Sequence, residues 1–248
     1  MALGGGTFLT QNKVLPGAYI NFISAARASA SLSDRGYAAI PLALNWGNED
    51  EVITVEAADI QKDSFEIFGY AYTDPEMKPL REIFKGAKTV YVYRINSGGT
   101  KATATLGALV ITAKYGGTRG NDIKVVVQTN IDDNAKFDVI TYLAGKKVDE
   151  QIVSKIIELK ENKYITFSGE ETLAVSAGVT LTGGTNGTVD GDSYSTFLEK
   201  IEAFSFNTLG YPGTDDLIKD LFIQFTKRLR DDHGVKFQTV IYKKNTAD

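Results

Sequence analysis

The sequence predicts a mixed α+β / α/β fold: a discontinuous core domain of helices on sheet, interrupted by an inserted β-rich domain. Two observations predict it. Near the end of the chain, a stripe of apolar residues at helical spacing leads into an apolar strand, and an earlier strand at Lys88–Arg94 gives the pair something to pack beside. Between Asn96-Ser97-Gly98-Gly99 and Gly183-Gly184 the composition shifts to Thr, Val and Gly. The expected organisation is an N-terminal arm at 1–24, a core domain at 25–96 and 189–248 lacking its C-terminal part, and an insert at 97–188.

The elements follow in order. Gly4, Gly5 and Gly6 hold no regular element cheaply, because glycine loses the most backbone entropy on ordering. Pro16-Gly17 is a turn signal before a short strand at Tyr19–Phe22. Two apolar runs, Tyr37–Leu44 and Val52–Val55, read as strands around the turn Asn45-Trp46-Gly47-Asn48. Helices are expected at Ala57–Phe68 and at Pro79–Lys85, the second stopped by Gly86. The alternation in Lys88–Arg94 makes it a strand, with Tyr91 and Tyr93 on one exposed face.

Inside the insert, strands are expected at Ala102–Ala113, Ile123–Thr129, Phe137–Leu143 and Tyr164–Phe167. One helix is expected at Val148–Lys160, from the spacing of Ile152, Ile156 and Leu159. After it, Ser193 is read as the cap of a helix carrying Phe197, Leu198, Ile201 and Phe204. Thr214 is read as the cap of a longer helix with Leu217, Leu221, Phe225 and Leu229 in its stripe and Gly234 at its end. The strand Val235–Tyr242 closes the pattern.

Composition narrows the chemistry. A net charge of −4 lacks the basic footprint that binding phosphate backbones demands, so no nucleic-acid partner is expected. No run of about eighteen apolar residues is present, so no membrane anchor is expected. With no Cys and the single histidine His233, the chain cannot build a typical zinc site unaided. No nucleophile, base and orienting group can be assembled by spacing, which moves weight from an enzyme toward a structural protein. No cofactor, metal or catalytic residue is expected.

Gly116-Gly117-Thr118-Arg119-Gly120-Asn121-Asp122 precedes a strand and lacks a Lys-Ser or Lys-Thr ending, so it reads as a structural loop rather than a phosphate cradle. Asp132-Asp133 and Asp190-Gly191-Asp192 lack the ligand spacing of a calcium loop; solvation explains the pair, and helix capping explains Asp192. His233 reads as a helix-end charge. Trp46 reads as a packed anchor.

Five stretches, taken in order, resemble one family. They are Val14-Leu15-Pro16-Gly17-Ala18-Tyr19-Ile20; Leu42–Gly47; Ala113–Ile123, with the pattern A-x-Y-x-G-x-x-G-N; Leu181–Gly187; and Phe197–Pro212. The ordered set is similar to contractile tail sheath proteins of myophage tails, phage-like elements such as PBSX, and R-type bacteriocins. The resemblance implies a structural subunit, not an enzyme. Such a subunit polymerises helically around a tail tube and contracts to drive the tube through a target envelope. It implies neighbouring sheath subunits, the tail tube protein, and baseplate and terminator proteins as partners. It implies assembly in the bacterial cytoplasm before release in a particle. It also implies an inter-subunit arm, hinged at Gly4, Gly5 and Gly6 and carrying Val14, Tyr19 and Phe22, that adds a strand to a neighbour. Family members continue past the last strand of this chain. The competing readings are a nucleotide-dependent α/β enzyme, with a pocket near Arg94 or Tyr242, and a β-rich surface adhesin.

Overall fold

The computed structural model describes residues 36–242. Strand β1 (Tyr37–Leu42) buries Ala38, Ala39, Ile40 and Leu42, a near-continuous apolar run of the kind a doubly covered parallel sheet requires. Strand β2 (Val52–Glu56) leads to helices α1 (Ile60–Phe68) and α2 (Lys78–Phe84) and then to β3 (Thr89–Arg94). Strand β3 lies parallel to β1, pairing Tyr37 with Thr89 through Leu42 with Arg94, and β2 runs antiparallel on its outer side.

The chain then builds two smaller sheets. Their strands are β4 (Lys101–Leu106), β5 (Leu109–Gly116), β6 (Ile123–Thr129), β7 (Phe137–Leu143), β8 (Lys146–Val153), β9 (Ile165–Ser168) and β10 (Ser176–Thr180). The four-stranded sheet has the order β10-β6-β7-β8 and the three-stranded sheet the order β4-β5-β9. They share one core, Leu109 and Ile111 from one sheet meeting Val125, Val127, Val139 and Leu143 from the other.

Helix α3 (Gly191–Ile201), strand β11 (Thr208–Tyr211), helix α4 (Asp216–His233) and strand β12 (Gln238–Ile241) return to the first sheet, completing the order β12-β11-β1-β3-β2. Strands β11 and β12 are parallel to β1. The β1–β11 pairing stops at Ala39, before Pro41, which has no amide proton to give a ladder. One sheet face packs on α1 and α2, through Ile40, Val90 and Val92 against Ile60, Phe68 and Leu80. The other packs on α3 and α4, through Ala39, Tyr93 and Leu209 against Phe197, Phe222 and Phe225.

Several expectations are corrected. Val148–Lys160 is not a helix: residues up to Val153 form β8, paired with β7 from Phe137–Val153 to Leu143–Lys146, and Ile156–Glu158 is one 3-10 turn. Ala144 and Gly145, both with positive φ, make the tight reversal between these strands, which fits a two-residue hairpin. Ala102–Ala113 is a hairpin of two strands turning at Gly107-Ala108, not one strand. Strands β10 and β11 were not expected. The caps lie elsewhere too: Asp190 accepts from the Ser193 amide at 2.9 Å while the Ser193 hydroxyl accepts from the Asp190 amide at 3.3 Å, and Asp215, not Thr214, caps α4. The buried side of α4 holds Phe222, Phe225 and Leu229, whereas Leu217 is 79% exposed. Tyr91 and Tyr93 are not an exposed face, because Phe204 and Phe197 pack over them.

Candidate functional site: the junction of the two sheet systems

Gly4, Gly5, Gly6, Val14, Tyr19 and Phe22, the expected arm residues, and the strand expected at Tyr19–Phe22 lie outside the described residues. The most elaborate polar and aromatic site that is described lies where the five-stranded sheet meets the paired smaller sheets. The chain leaves the first sheet after Asn96 and comes back at Gly187, whose amide donates to the Asn96 carbonyl at 3.2 Å. A side chain at Gly187 would put its first carbon 1.8 Å from the Ser97 carbonyl oxygen, so only glycine allows the two strands of the connection to run this close.

Trp46, on the bend after β1, is fully buried, and its cluster is the core of the smaller sheets rather than of its own. Its ring meets Tyr115 edge-on at 5.2 Å and stacks on Tyr164 at 6.4 Å. Burial pushes the Tyr164 phenol up to about 12. Phe65 of α1 packs against Tyr164, and the Lys146 ammonium sits 4.5 Å above the Phe65 ring. Lys163 and Glu66 pair at 2.8 Å across the same seam, although both are largely exposed and the pair adds little.

Arg94, at the end of β3, is fully buried. Its guanidinium donates to the Gly47 carbonyl at 3.0 Å and lies 3.2 Å from the Glu49 carboxylate. Burial depresses its pKa, and the Glu49 charge partly offsets that. Asn96 closes the other side, accepting from the Leu44 amide at 2.8 Å and donating to the Leu44 carbonyl at 2.9 Å. The enzyme reading expects a pocket near Arg94 or Tyr242. The Arg94 guanidinium holds the Asn45–Glu49 bend, which carries Trp46 into the neighbouring core.

The glycine-rich stretch after β5 forms the opposing surface. Gly117 has φ +136°, and a side chain there would meet the Asn45 carbonyl oxygen at 2.1 Å. Arg119 donates to the Gly69 carbonyl at 2.9 Å, stacks 4.1 Å over Tyr70, and pairs with Asp122. Asn121 both donates to and accepts from Gly184, and Asn186 donates to the Asn45 side chain at 2.8 Å. The motif therefore holds backbone against backbone. The sequence flagged Trp46, Arg94 and this loop one at a time; what it lacked was any signal that they converge.

Among the described residues no group of three or more His, Asp and Glu side chains could hold a metal ion. The Asn130 side-chain oxygen braces the Asp132-Asp133 turn, accepting from both amides. His233 lies in the last turn of α4.

Comparison with known proteins covers the same ground. Three family models match consecutive stretches: tail sheath protein Gp18 domain III N-terminal region at 35–95, phage tail sheath protein beta-sandwich domain at 97–186, and phage tail sheath protein central domain at 187–248. The phage-like element PBSX protein XkdK of Bacillus subtilis is 37% identical over 258 residues, and the uncharacterized protein YqbK of the same organism is 37% identical over 259. Each alignment takes in 96% of this chain but 55% of the relative, so the chain spans about half the length of the curated relatives it matches. The structure of a sheath tail protein from Desulfitobacterium hafniense superposes with TM-score 0.80 and 45% identity, over 91% of this chain and 52% of that one. A sheath tail protein from Listeria innocua gives TM-score 0.74 and 40% identity, over 84% and 47%.

Proposed function

The chain belongs to the phage tail sheath family, and from that premise we propose that it serves as a structural subunit of a contractile tail sheath. Copies stack helically around a tail tube and shorten to drive the tube through a target envelope. The observation that carries this reading is the ordered match of three sheath models along residues 35–248. The organisation that fits is a core domain at 25–96 and 189–248 with residues 97–188 inserted as a separate decoration on it.

The partners in this reading are neighbouring copies, the tail tube protein, and the baseplate and terminator proteins. Assembly would take place in the bacterial cytoplasm, before release in a phage tail or bacteriocin particle. Residues 1–24 would be the linking arm, with Gly4, Gly5 and Gly6 as its hinge and Val14, Tyr19 and Phe22 on the strand it adds to a neighbour. Backbone hydrogen bonds make such a link strong without a rigid side-chain fit, which lets subunits rotate past one another while joined. The contraction energy would be stored in the choice between two lattice packings, and no nucleotide chemistry is required.

The test is electron microscopy of the protein expressed without other particle components, continued past residue 248 with the sequence its longer relatives carry. Hollow tubes of stacked rings are expected. Folded protein that stays dispersed at every concentration would reject the sheath reading. Removing residues 1–20 should abolish the tubes and leave folded subunits; tubes that survive the deletion would reject the arm alone.

A further inference from the structure

The return from the smaller sheets passes through Asn186-Gly187, the sole Asn-Gly pair in the sequence. Asparagine is most reactive before glycine. No glycine side chain shields the asparagine side-chain carbon from the amide nitrogen of the glycine, and the glycine backbone turns freely enough to bring the two together. An unclamped Asn-Gly therefore loses its side-chain amide spontaneously in water. The junction clamps this one at three points. The Asn186 Oδ1 accepts from the Thr118 amide at 3.1 Å and its Nδ2 donates to the Asn45 Oδ1 at 2.8 Å, so the side chain cannot rotate without breaking both bonds. Asn45 is itself fixed, its Nδ2 donating to the Tyr70 hydroxyl at 3.0 Å. The Gly187 amide, the group that must give up its proton, donates to the Asn96 carbonyl at 3.2 Å. A swing of the backbone is blocked as well, because a carbon added to Gly187 would fall 1.8 Å from the Ser97 carbonyl oxygen.

We infer that Asn186 is a deamidation site gated by the junction: it stays intact while the two sheet systems are closed on each other, is modified once they part, and then prevents them from closing again. On opening, the Gly187 amide nitrogen loses its proton to solvent and attacks the Asn186 side-chain carbonyl carbon. The new N–C bond closes a cyclic imide as the C–N bond of the side-chain amide breaks, and ammonia leaves with a proton from solvent. Water then opens the ring at one carbonyl or the other, giving aspartate, or isoaspartate with the main chain running through the former side chain. Water and the chain are the only reactants, and nothing is oxidised or reduced. Both products lose the Nδ2 donor to Asn45. Isoaspartate also lengthens the main chain by a carbon at the point where Gly187 is hemmed in by Asn96 and Ser97. The modified residue is thus a lasting mark of past opening, whether or not copies assemble or contract.

The full chain is its own reference. Folded protein and protein unfolded in guanidinium chloride are held at the same pH and temperature. Peptide mapping by mass spectrometry, with fragmentation that separates isoaspartate from aspartate, follows Asn186. In the unfolded chain Asn186 should deamidate ahead of every other asparagine. In the folded chain it should react at least about tenfold more slowly, as for a site reached only through local opening. Asn45→Ala removes the Nδ2 partner and should speed the folded-state reaction about fivefold, the factor that one ordinary hydrogen bond corresponds to. Thr118→Pro removes the amide that Oδ1 accepts from, at the first position of a 3-10 turn where proline is tolerated, and serves equally if Asn45→Ala fails to fold by circular dichroism. Equal rates in folded and unfolded protein overturn the gate, as does an unchanged rate in a folded variant. An unfolded chain that leaves Asn186 intact overturns the site. On dilution from denaturant, intact chains should recover the native emission of Trp46, and chains carrying isoaspartate should stay red-shifted. Equal recovery overturns the one-way step.

Discussion

A single side chain, Trp46, makes the fold of one sheet system depend on the other. Its backbone belongs to the bend after β1, and its ring lies among Tyr115, Tyr164 and the core of the smaller sheets. Deleting a fully buried aromatic ring removes its transfer energy and leaves a cavity that rigid neighbours fill only in part. Trp46→Ala should therefore cost about 3–5 kcal/mol, and Trp46→Phe clearly less, read as shifts in the urea midpoint at constant slope. A loss for Trp46→Ala within the range of ordinary surface substitutions would show that the ring is not a plug. The sequence singled Trp46 out as a packed anchor, and it is one. The identity of the packed partner was not legible, because spacing along a chain says nothing about which distant core a bend points into. Tyr91 and Tyr93 show the same gap. Alternation put them on one face, but only the later part of the chain supplies Phe197 and Phe204 to cover it.

Elements with strong local patterns were legible nearly to the residue: β6 and β7 have the expected bounds, and β1, β3, α1, α2 and α4 lie within a few residues of theirs. Elements defined by a partner were not. Strand β8 and the turn after it carry Ile152, Val153, Ile156 and Ile157 at spacings that also suit a helix, yet β7 presents a full ladder to β8 across Ala144-Gly145. Strands β10 and β11 are four or five residues long with glycine inside, too short to show a period. Helix α3 shows how a cap a few residues upstream resets a boundary, and it carries a testable pH signature. The Asp190 carboxylate accepts from the Ser193 amide and hydroxyl, which holds its pKa below the usual value of 3.8. A carboxylate with a lowered folded-state pKa contributes stability that is fully present above the unfolded value and is lost as pH falls through the folded one. The protein should thus lose stability more steeply with acid below about pH 3.8 than Asp190→Asn, which keeps an oxygen acceptor but does not titrate. Acid titrations in fixed urea compare the two directly, and parallel profiles would show that the cap carries no charge-dependent part.

At the scale of the whole described structure, the question is whether the paired smaller sheets unfold on their own. Covalent connection alone would permit it, since the chain leaves and returns at adjacent points, Asn96 and Gly187. The junction argues otherwise. Trp46 and Phe65 pack into or against the smaller sheets from the other side of the seam, Arg94 holds the bend that carries Trp46, and the loop after β5 closes on the Asn45 carbonyl through the Arg119 amide and on the Gly69 carbonyl through the Arg119 side chain. Unfolding the smaller sheets alone would bare the indole ring and leave the Asn45–Glu49 bend without its opposing surface, so each half raises the cost of opening the other. The sequence supplies two separate reporters. The lone tryptophan senses the smaller-sheet core, while all four α-helices of the described residues lie outside residues 97–186 and supply the far-ultraviolet helix signal. Urea unfolding should give coincident midpoints by Trp46 fluorescence and by helical circular dichroism, as one cooperative transition requires. Arg94→Met should lower both midpoints together rather than separate them. If the fluorescence changes at lower urea while the helical signal persists, the two sheet systems are independent units, and a sheath subunit built this way would bend internally rather than turn as a block when its lattice shortens.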